Sequence, residues 1–360
     1  MNARIALVVG VGSGGSGRHV RSLGVGLAAR GHRVAVVGPA ETEREIGFTE
    51  AGLRFSPVPF GTAPELGDAG TVLRLRALLR NADVVHAHGV RVGALCALAG
   101  VGPLVVTAHN APPAVSGVRT VLHPLLEKIV ARRADLCLGV SGDLVERLSA
   151  AGARDARLAV VAAPDIGTGL NGREQTRADL AVLPERPLVL TIGRLVEQKG
   201  LDTLLAAAPV IADRRPEPVI AIAGDGPLWG SLHDTAAELD ADVRMLGHRT
   251  DVADLLAAAD VFCLPSHWEG SSLVVMEALR AGLPVVGTRV GGISELYSGT
   301  AVLVPPGDPE AFAAAVGQVL DDTRIAEDLR KRSGEAAEAL PTEEDAVDAA
   351  SKAYTGVAAW

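Results

Sequence analysis

The sequence predicts an α/β protein made of two domains, each built on a parallel β-sheet. The chain has 360 residues, which suggests two domains or one large α/β unit. Short apolar runs rich in β-branched residues alternate with helix-like stretches, and this alternation is typical of parallel strands that are buried on both faces. The rhythm breaks over residues 164–187, where glycine, proline and charged residues are frequent, and then starts again.

The first half supplies six strands and five helices. Its first apolar run is followed by a glycine-rich turn rather than a small-residue cleavage site, so the run is predicted to be a strand and not a signal peptide. The predicted strands are 5–9, 34–37, 83–86, 104–107, 136–140 and 158–161. The predicted helices are 19–29, 72–79, 91–98, 122–132 and 144–150.

The second half repeats this architecture without repeating the sequence. Its predicted strands are 188–192, 219–223, 243–246, 261–264, 284–287 and 301–304. Its predicted helices are 201–211, 228–239, 252–258, 273–280, 309–320 and 324–333, with one more at 343–354. The predicted organisation is therefore two Rossmann-like domains over 1–165 and 188–340, a linker over 166–187 and a C-terminal helix within 341–360. Folds of this class bind ligands at the carboxyl ends of their strands, so we expect the site in a cleft between the domains.

Composition and charge exclude several classes of protein. An apolar content of 48% excludes a disordered chain. The three cysteines form no CxxC pair, which indicates buried reduced thiols rather than disulfides or a zinc ribbon. Residues 1–165 hold 18 basic and 13 acidic residues, a net charge of +5, and the remainder holds 16 and 30, a net charge of −14. This balance argues against a nucleic-acid-binding protein, while the mildly basic first half fits an anionic substrate, an acidic membrane surface or ordinary solvation.

The first motif is the glycine-rich loop 10–17, between the first strand and the first helix. It matches GxGxxG at Gly10, Gly12 and Gly15, and such a loop lets backbone amides approach a phosphate at a helix N-terminus. A dinucleotide site would also need an acid at the end of the second strand, where this chain has Gly38 and Pro39. A phosphate or sugar contact is the favoured interpretation, and a tight turn is the alternative.

Two further motifs follow strands of the second half. Arg194 and Lys199 lie in the loop 193–200, where two cations could neutralise a diphosphate or simply be solvated. Glu269 lies in a loop before a helix whose first amides, at Ser272 and Leu273, could hold a phosphate. Glu277, farther along that helix, could accept hydrogen bonds from a vicinal diol such as ribose, or could be a surface acid.

Histidines at strand ends are the candidates in the first half. His109 could bind a sugar hydroxyl or polarise a reacting group, although a lone histidine is more often structural. His86 and His88 could join it around a metal, but no acidic ligand supports that set. The Asp240–Asp242 pair is predicted to be a polar turn. The stretch 122–133 is predicted to be a packed helix rather than a membrane-surface helix, because Glu127 interrupts its basic face.

Together these motifs resemble the family-4 retaining glycosyltransferases, which have the two-domain GT-B fold. The resemblance covers nearly the whole chain. Glu269-x7-Glu277 with the following Ala278-Leu279-Arg280-Ala281-Gly282-Leu283-Pro284 looks like the E-x7-E motif of the family. The segments 191–200, 223–227 and 14–20 look like its donor-phosphate motif, its GxGP turn and its N-terminal glycine loop. One departure is Ser271-Ser272, where many members have Phe-Gly.

The resemblance implies a role for each matching residue. Arg194 and Lys199 would stabilise the diphosphate leaving group, Glu269 would hold the donor sugar, and His109 would contact that sugar from the first domain. Glu277 would bind the ribose, and the loop with His248 and Arg249 would contact the base. The implied catalytic residues are Arg194, Lys199, Glu269 and His109, and the implied donor-binding residues are Gly14, Gly15, Gly193, His248, Arg249, Gly270, Ser271, Ser272, Leu273 and Glu277.

The implied reaction is the transfer of a hexose-type sugar from a nucleotide-diphosphate donor to an acceptor hydroxyl, with retention by a front-face mechanism and without a metal. UDP is the preferred nucleotide of the donor because it is frequent in the family, and no cofactor is expected. The first domain would bind the acceptor, which could be a glycan, a lipid-linked compound or a small molecule. The C-terminal helix would pack back on the first domain. We expect a cytoplasmic protein, with peripheral contact at the inner membrane face left open.

Three alternatives remain at this stage. A nucleotide-sugar 2-epimerase on the same fold would act on the donor without any acceptor. An NAD-dependent oxidoreductase would need the acid that is missing after Val37. A catalytically inactive binding protein would have no reason to keep Arg194, Lys199, Glu269 and Glu277 together.

Overall fold

The computed structural model describes residues 2–11, 14–61, 67–111 and 118–358, with the side chains of 118–121 left out. The chain forms two compact units. The first holds Met1–Pro164 and Pro341–Trp360, and the second holds Asp165–Leu340.

The first unit is a seven-stranded, fully parallel sheet with strand order β3-β2-β1-β4-β5-β6-β7. Its strands are β1 Arg4–Val9, β2 Arg33–Gly38, β3 Arg54–Pro57, β4 Val84–His88, β5 Leu104–Ala108, β6 Leu136–Gly139 and β7 Ala156–Leu158. Its helices are α1 Gly14–Ala29, α2 Ala40–Ile46, α3 Asp68–Leu79, α4 Val90–Ala99, α5 Val118–Arg133, α6 Gly142–Ala150 and, at the C-terminus, α15 Glu343–Val357.

The second unit is a six-stranded parallel sheet with strand order β10-β9-β8-β11-β12-β13. Its strands are β8 Leu188–Ile192, β9 Val219–Ala223, β10 Val243–Gly247, β11 Val261–Leu264, β12 Val285–Thr288 and β13 Val302–Val304. Its helices are α7 Gly172–Asp179, α8 Leu201–Ala212, α9 Trp229–Glu238, α10 Val252–Ala258, α11 Leu273–Arg280, α12 Gly291–Tyr297, α13 Pro309–Asp321 and α14 Thr323–Ala339, with a 3₁₀ turn at Glu197–Lys199.

Each sheet reverses its strand order next to its first strand, and this reversal positions the candidate sites. In the first unit β1 lies between β2 and β4, and Val9 pairs with His88, which in turn pairs with Thr107. In the second unit β8 lies between β9 and β11. Loops that leave a parallel sheet on opposite sides of such a reversal separate and leave a crevice at the carboxyl ends of the strands.

The strands form because their side chains are buried on both faces. The core of the first unit contains Leu7, Val36, Val105 and Leu136, and the core of the second contains Val189, Ile220, Cys263 and Val286. All three cysteines are buried and unbonded to one another, and burial raises their thiol pKa values. The two predicted parallel-sheet domains are therefore confirmed.

The C-terminal helix is part of the first unit. The helix α15 packs on α1, and Val347, Ala350 and Tyr354 enter the core of the first unit. A capping box between Thr342 and Asp345 fixes its first turn. Among the described residues, no helix is long and apolar enough to span a membrane.

The segment 166–187, predicted to link the two domains, contains α7 and belongs to the second unit. Arg173 donates hydrogen bonds to the carbonyls of Ala258 and Ala259 at the end of α10. Buried Arg177 also donates a hydrogen bond to the carbonyl of Ala258, and it forms an ion pair with Asp260. Because arginines rather than an apolar face anchor α7, hydrophobic periodicity could not reveal it.

Other elements differ from the prediction at their ends or were missed. The last strand of the first unit is β7 at Ala156–Leu158, not 158–161, and α3 begins four residues before the predicted start. The short elements α2, α12 and β3 were not predicted. In α5, Leu125 is half exposed, whereas Glu127 is buried and accepts hydrogen bonds from Arg147. Glu127 therefore joins α5 to α6 and does not interrupt a solvated basic face.

Candidate functional site

The loop after β8 places Lys199 at the end of the 3₁₀ turn, immediately before α8. Gly200 ends this turn with φ +58°, and a Cβ atom there would lie 2.2 Å from the carbonyl oxygen of Pro265. Only glycine combines this left-handed conformation with so close an approach. The loop after β8 is thereby held against the loop after β11.

The loop after β11 carries Glu269 into contact with Lys199. Glu269 is buried, and its Oε1 accepts a hydrogen bond from the hydroxyl of Ser266 at 2.7 Å. The same oxygen forms an ion pair with the Lys199 ammonium. Two residues 70 positions apart in the chain thus meet at the carboxyl edge of the second sheet.

Backbone contacts fix this pair in place. The amide of His267 donates to the carbonyl of Gln198 at 2.8 Å, and the Gln198 side chain donates to the carbonyl of Trp268 at 2.9 Å. The amide of Gly292 donates to the carbonyl of Glu269 at 3.0 Å. The backbone that carries Glu269 is therefore held by the loop after β8 and by the start of α12.

The loop after β9 is the third loop at this site, and it contacts the loop after β8. The amide of Gly193 donates to the carbonyl of Ala223 at 3.0 Å, and that of Leu195 donates to the backbone carbonyl of Asp225 at 2.9 Å. Between these two anchored residues, Arg194 is exposed and has no side-chain bond within the described part of the chain. Its guanidinium is thus available to an anion.

The helix α11 begins at Leu273, four residues after Glu269. Gly270 is buried, Ser271 is partly exposed, and Ser272 is the N-cap residue, without a side-chain hydrogen bond to the first turn. The first amides of the helix, from Leu273 onward, are therefore not capped by a side chain, and such amides favour an anion. Glu277 is 1% exposed, so the alternative of a surface acid is wrong.

The loop after β10 contributes less directly. His248 is exposed. Arg249 is paired with Asp251, which lowers the pKa of the Asp251 carboxyl and raises that of the guanidinium through their hydrogen bonds. The structure describes no contact between this loop and the Lys199–Glu269 pair, so a role in base binding stays a prediction.

Four histidines cluster at the carboxyl ends of β4 and β5 in the first unit. Nδ1 of His88 lies 3.0 Å from Nε2 of His109. The ring centroids of His86 and His88 are 4.1 Å apart, and His19 from α1 lies 6.1 Å from both His88 and His109. His109 is therefore not a lone histidine.

Burial keeps this cluster neutral. It lowers the pKa of His19 to about 4 and those of His86 and His109 to about 3. Burial and its histidine neighbours hold the pKa of His88 well below the ordinary value of a histidine. Near neutral pH these rings act as hydrogen-bonding groups without charge. Among the described residues, no group of histidine, cysteine and acidic side chains could hold a metal.

A cavity of about 310 Å³ opens beside His88 and His109. It is bounded by the ends of β1 and β4 and by the starts of α1 and α4. Gly14 and Gly15 form the first turn of α1, with Gly14 exposed and Gly15 half-buried. Gly12 of the predicted glycine loop lies outside the described residues.

The predicted pair Asp240–Asp242 has a structural role. Asp242 forms ion pairs with Arg244 and Arg186, and these hydrogen bonds lower the pKa of its carboxyl. It therefore holds the start of β10 and has no free carboxylate for a metal.

Sequence reasoning missed Ser266 and Asp68, and it considered His88 only as a possible metal ligand. Ser266 positions the Glu269 carboxylate. Nε2 of His88 is buried and has no hydrogen-bond partner in the described part of the chain. Asp68 forms a two-pronged ion pair with Arg91 beside the cavity. The sequence signal for Ser266 is its position just after an apolar strand, and Asp68 has no such local signal.

Comparison with known proteins identifies the family. The family model of glycosyl transferases group 1 matches residues 186–322, and that of the glycosyl transferase 4-like domain matches residues 14–164. The phosphatidyl-myo-inositol mannosyltransferase of Mycolicibacterium smegmatis is 31% identical over 344 residues, covering 87% of this chain and 82% of that protein. The chain belongs to the family-4 glycosyltransferases.

Other glycosyltransferases resemble the chain in sequence or fold. The glycogen synthase of Mycobacterium tuberculosis is 29% identical over 357 residues, covering 87% of this chain and 84% of that protein. The crystal structure of Anabaena HepE in complex with UDP and glucose superposes with a TM-score of 0.84 at 20% identity, covering 98% of this chain and all of that chain. That of WaaG, a glycosyltransferase of lipopolysaccharide biosynthesis, has a TM-score of 0.77 at 19% identity, covering 99% of this chain and all of that chain. The fold of this glycosyltransferase is therefore GT-B.

Proposed function

We propose that this glycosyltransferase transfers a hexose-type sugar from a nucleoside diphosphate donor to an acceptor hydroxyl, with retention and without a metal. The observation that carries the proposal is the contact of Lys199 with Glu269 beside the uncapped start of α11. The cation of this loop cluster suits the diphosphate of such a donor, and the carboxylate suits its sugar hydroxyls. The free helix amides suit the outer oxygens of the diphosphate.

Arg194 and Lys199 would bind the diphosphate and stabilise the negative charge that develops as it leaves. Arg194 is exposed and available to bind an anion. Lys199 forms an ion pair with Glu269, and the diphosphate would replace Glu269 as its partner. Positive side chains aimed at a developing phosphate charge can replace the electrostatic contribution of a divalent metal. This exchange of partners would also release Glu269 to accept hydrogen bonds from the donor sugar.

In the proposed reaction, the acceptor hydroxyl oxygen bonds to the anomeric carbon on the face from which the diphosphate leaves. The bond between that carbon and the phosphate oxygen breaks, and the departing phosphate takes the proton of the hydroxyl. The anomeric configuration is retained, and no protein nucleophile is needed. His109 would hydrogen-bond a sugar hydroxyl as a neutral ring, because burial keeps it deprotonated near neutral pH.

Solved structures of a relative support this choice of donor. HepE was crystallised with UDP and with UDP-glucose, which favours UDP as the first donor nucleotide to test. Glu277, a buried residue of α11, would bind the ribose of the donor. A phosphatidyl-myo-inositol mannosyltransferase acts at a lipid, so peripheral contact with a membrane is a further proposal, supported by the exposed Leu125, Arg132 and Arg133 on α5.

The proposal is tested by the thermal stabilisation of the purified protein with UDP, GDP, ADP, dTDP and NAD, each in EDTA and then in Mg²⁺. A ligand that binds the folded state raises the melting temperature by mass action. We expect one nucleoside diphosphate to stabilise the protein equally with and without Mg²⁺. Stabilisation by NAD alone, or a strict requirement for Mg²⁺, would contradict the proposal. Donor consumption without any acceptor product would instead favour the epimerase.

A further inference from the structure

His88 is hydrogen-bonded to His109, the histidine that the proposed function places at the donor sugar. Nδ1 of His88 lies 3.0 Å from Nε2 of His109, and the planes of the two rings are 28° apart. Both rings are uncharged near neutral pH, because burial lowers their pKa values. A neutral imidazole has one N–H donor and one bare nitrogen, so one ring donates and the other accepts. The tautomer of His109 is therefore tied to that of His88.

This contact decides which nitrogen of His109 can meet a ligand. Nε2 is occupied by His88, whereas Nδ1 has no hydrogen-bond partner within the described residues. His109 is partly exposed, while His88 is only 5% exposed. His109 is therefore the ring that can offer a nitrogen to a ligand, and the nitrogen that it offers is Nδ1.

The strand ends hold His88 in place without a ligand. His88 is the last residue of β4 and pairs with Thr107 of β5. The next residue, Gly89, donates its amide to the carbonyl of Thr107 at 2.7 Å and has φ +107°, a conformation that favours glycine. The ring of His86 packs against that of His88 and is itself 2.7 Å from the hydroxyl of Thr107. Backbone bonds and packing thus fix His88 beside the end of β5, where His109 follows.

A purely structural role does not account for a histidine at position 88. Its Nε2 is buried without a hydrogen-bond partner in the part of the chain that the structure describes. An unsatisfied buried polar atom lowers stability, and an apolar residue of similar size would avoid this loss. The polar contact that His88 does make is the one to His109. The loss is explained if this contact serves the reaction rather than the fold.

We propose that His88 is a positioning residue for the transfer reaction: it binds Nε2 of His109 and thereby directs Nδ1 of His109 to a hydroxyl of the donor sugar. The inference rests on the proposed function and deepens it, because it names the group that orients His109. With Nε2 held, the His109 ring cannot turn without breaking its bond to His88. A ring that is already held in one orientation and one tautomer needs no ordering when the transition state forms.

A double-mutant cycle tests whether His88 acts through His109. Release of UDP from UDP-glucose, with methanol as a surrogate acceptor, is measured for the wild-type protein, His88→Ala, His109→Ala and the double variant. We expect His88→Ala to lower kcat/KM by about 10–100-fold, because His109 is no longer held. When His109 is already alanine, the same substitution should lower kcat/KM by less than about twofold. Effects that multiply in the double variant would overturn the proposal.

Two conservative variants show which nitrogen of His88 matters. The amide group of asparagine can take the place of Nδ1, and that of glutamine can take the place of Nε2. His88→Asn should therefore keep kcat/KM within about threefold of the wild-type value, whereas His88→Gln should lose as much as His88→Ala. The reverse order would overturn the proposal, since it would mean that Nε2 is the important atom.

His32→Ala is the matched control for these variants. His32 is a histidine of the same unit, and its Nδ1 accepts a hydrogen bond from the amide of Ala3 at the opposite end of β1. This variant should be as active as the wild-type protein. An equal loss of activity in His32→Ala and His88→Ala would show that the loss comes from the fold and would overturn the proposal.

NMR of protein labelled with ¹⁵N at its nine histidines observes the contact directly. The signals of His109 are identified by their absence from the His109→Ala variant. At pH 7 we expect His109 to have a single neutral tautomer in the wild-type protein and in His88→Asn, and averaged tautomers in His88→Ala. Averaged tautomers in the wild-type protein would overturn the proposal.

Turnover by the wild-type protein distinguishes the two proposals. If the wild-type protein consumes no nucleotide sugar, the proposed function fails. If it consumes the donor and the effects of the His88 and His109 substitutions multiply, only the inference about His88 fails.

Discussion

At the scale of single residues, the ion pair between Lys199 and Glu269 explains how cationic and acidic groups can share one loop cluster before a donor binds. Burying the Glu269 carboxylate without a positively charged partner would cost free energy of folding. The Lys199 ammonium, whose side chain is 18% exposed, is that partner. Because Ser266 also donates to Glu269, the carboxylate keeps one hydrogen bond when the lysine turns to a phosphate. Under the proposed function, the pair would be a resting state that the diphosphate of the donor opens.

Lys199→Ala should lower kcat/KM for transfer by about 10²–10³-fold, because one charged contact to the leaving diphosphate is lost. Steady-state kinetics with the best donor measures this effect. Lys331→Ala is the control, since Lys331 forms an exposed pair with Glu335 on α14. A Lys199 variant that is as active as the Lys331 variant would contradict the assignment.

Glu277→Gln should remove discrimination between UDP and 2′,3′-dideoxy-UDP. A buried carboxylate that accepts two hydrogen bonds from the ribose binds UDP about tenfold or more tightly than the analogue without those hydroxyls. Calorimetry with both nucleotides on both proteins completes the cycle. If the variant keeps the wild-type ratio of affinities, Glu277 does not contact the ribose.

Residues of the candidate site can be picked out from the sequence where a motif lies in one stretch. Arg194 and Lys199 share one loop, and Glu269 and Glu277 are eight positions apart. Partners that depend on the folded chain could not be predicted in this way. Asp68 meets Arg91 from a different helix, and Glu127 meets Arg147 across two helices, so neither pair has a local signal.

At the scale of elements, α15 is connected directly to the histidine cluster. The hydroxyl of Tyr354 lies 2.7 Å from Nδ1 of His86, and Nε2 of His86 lies 2.7 Å from the hydroxyl of Thr107 on β5. All three side chains are buried. The C-terminal helix thereby supports the strand ends that carry His88 and His109.

Tyr354→Phe should destabilise the first unit by about 1–3 kcal/mol, because Nδ1 of buried His86 loses its partner. Tyr297→Phe is a matched control, since the buried Tyr297 hydroxyl in the second unit has no hydrogen-bond partner within the described part of the chain. Hydrogen exchange of α15 followed by mass spectrometry measures the effect. Equal protection of α15 in both variants would show that the Tyr354–His86 bond contributes nothing.

The long apolar elements were predictable, and the short polar ones were not. All six strands of the second unit were placed to within about two residues because continuous apolar runs mark buried parallel strands. The helix α2 has the sequence Ala-Glu-Thr-Glu-Arg-Glu-Ile, in which only Thr42 is buried, so it has no apolar stripe to detect. Tertiary contacts, rather than local pattern, determine such elements.

At the scale of the whole molecule, acid should affect the two units differently. His19, His86 and His109 of the first unit have pKa values lowered to about 4, 3 and 3 by burial, whereas an unfolded histidine titrates near 6.5. The unfolded first unit therefore binds more protons than the folded one between about pH 6.5 and pH 4. Its stability falls as the pH falls through this window.

We expect the first unit to lose about 2 kcal/mol per such histidine between pH 7.5 and pH 5, while the stabilising carboxylates Asp242 and Asp251 of the second unit remain ionised. Urea denaturation at the two pH values, followed by hydrogen exchange in each unit, resolves the two transitions. A transition of the first unit that does not move with pH would mean that the cluster is hydrated and can be protonated in the folded state.

The measurement that tests the account most directly is the stereochemistry of transfer in EDTA. UDP-α-glucose is incubated with the enzyme and methanol as a surrogate acceptor, and the methyl glucoside is examined by proton NMR, since a glycoside does not change its anomeric configuration in solution. We expect methyl α-glucoside to form at the same rate with EDTA as with Mg²⁺. Methyl β-glucoside, or product that forms only with Mg²⁺, would contradict it.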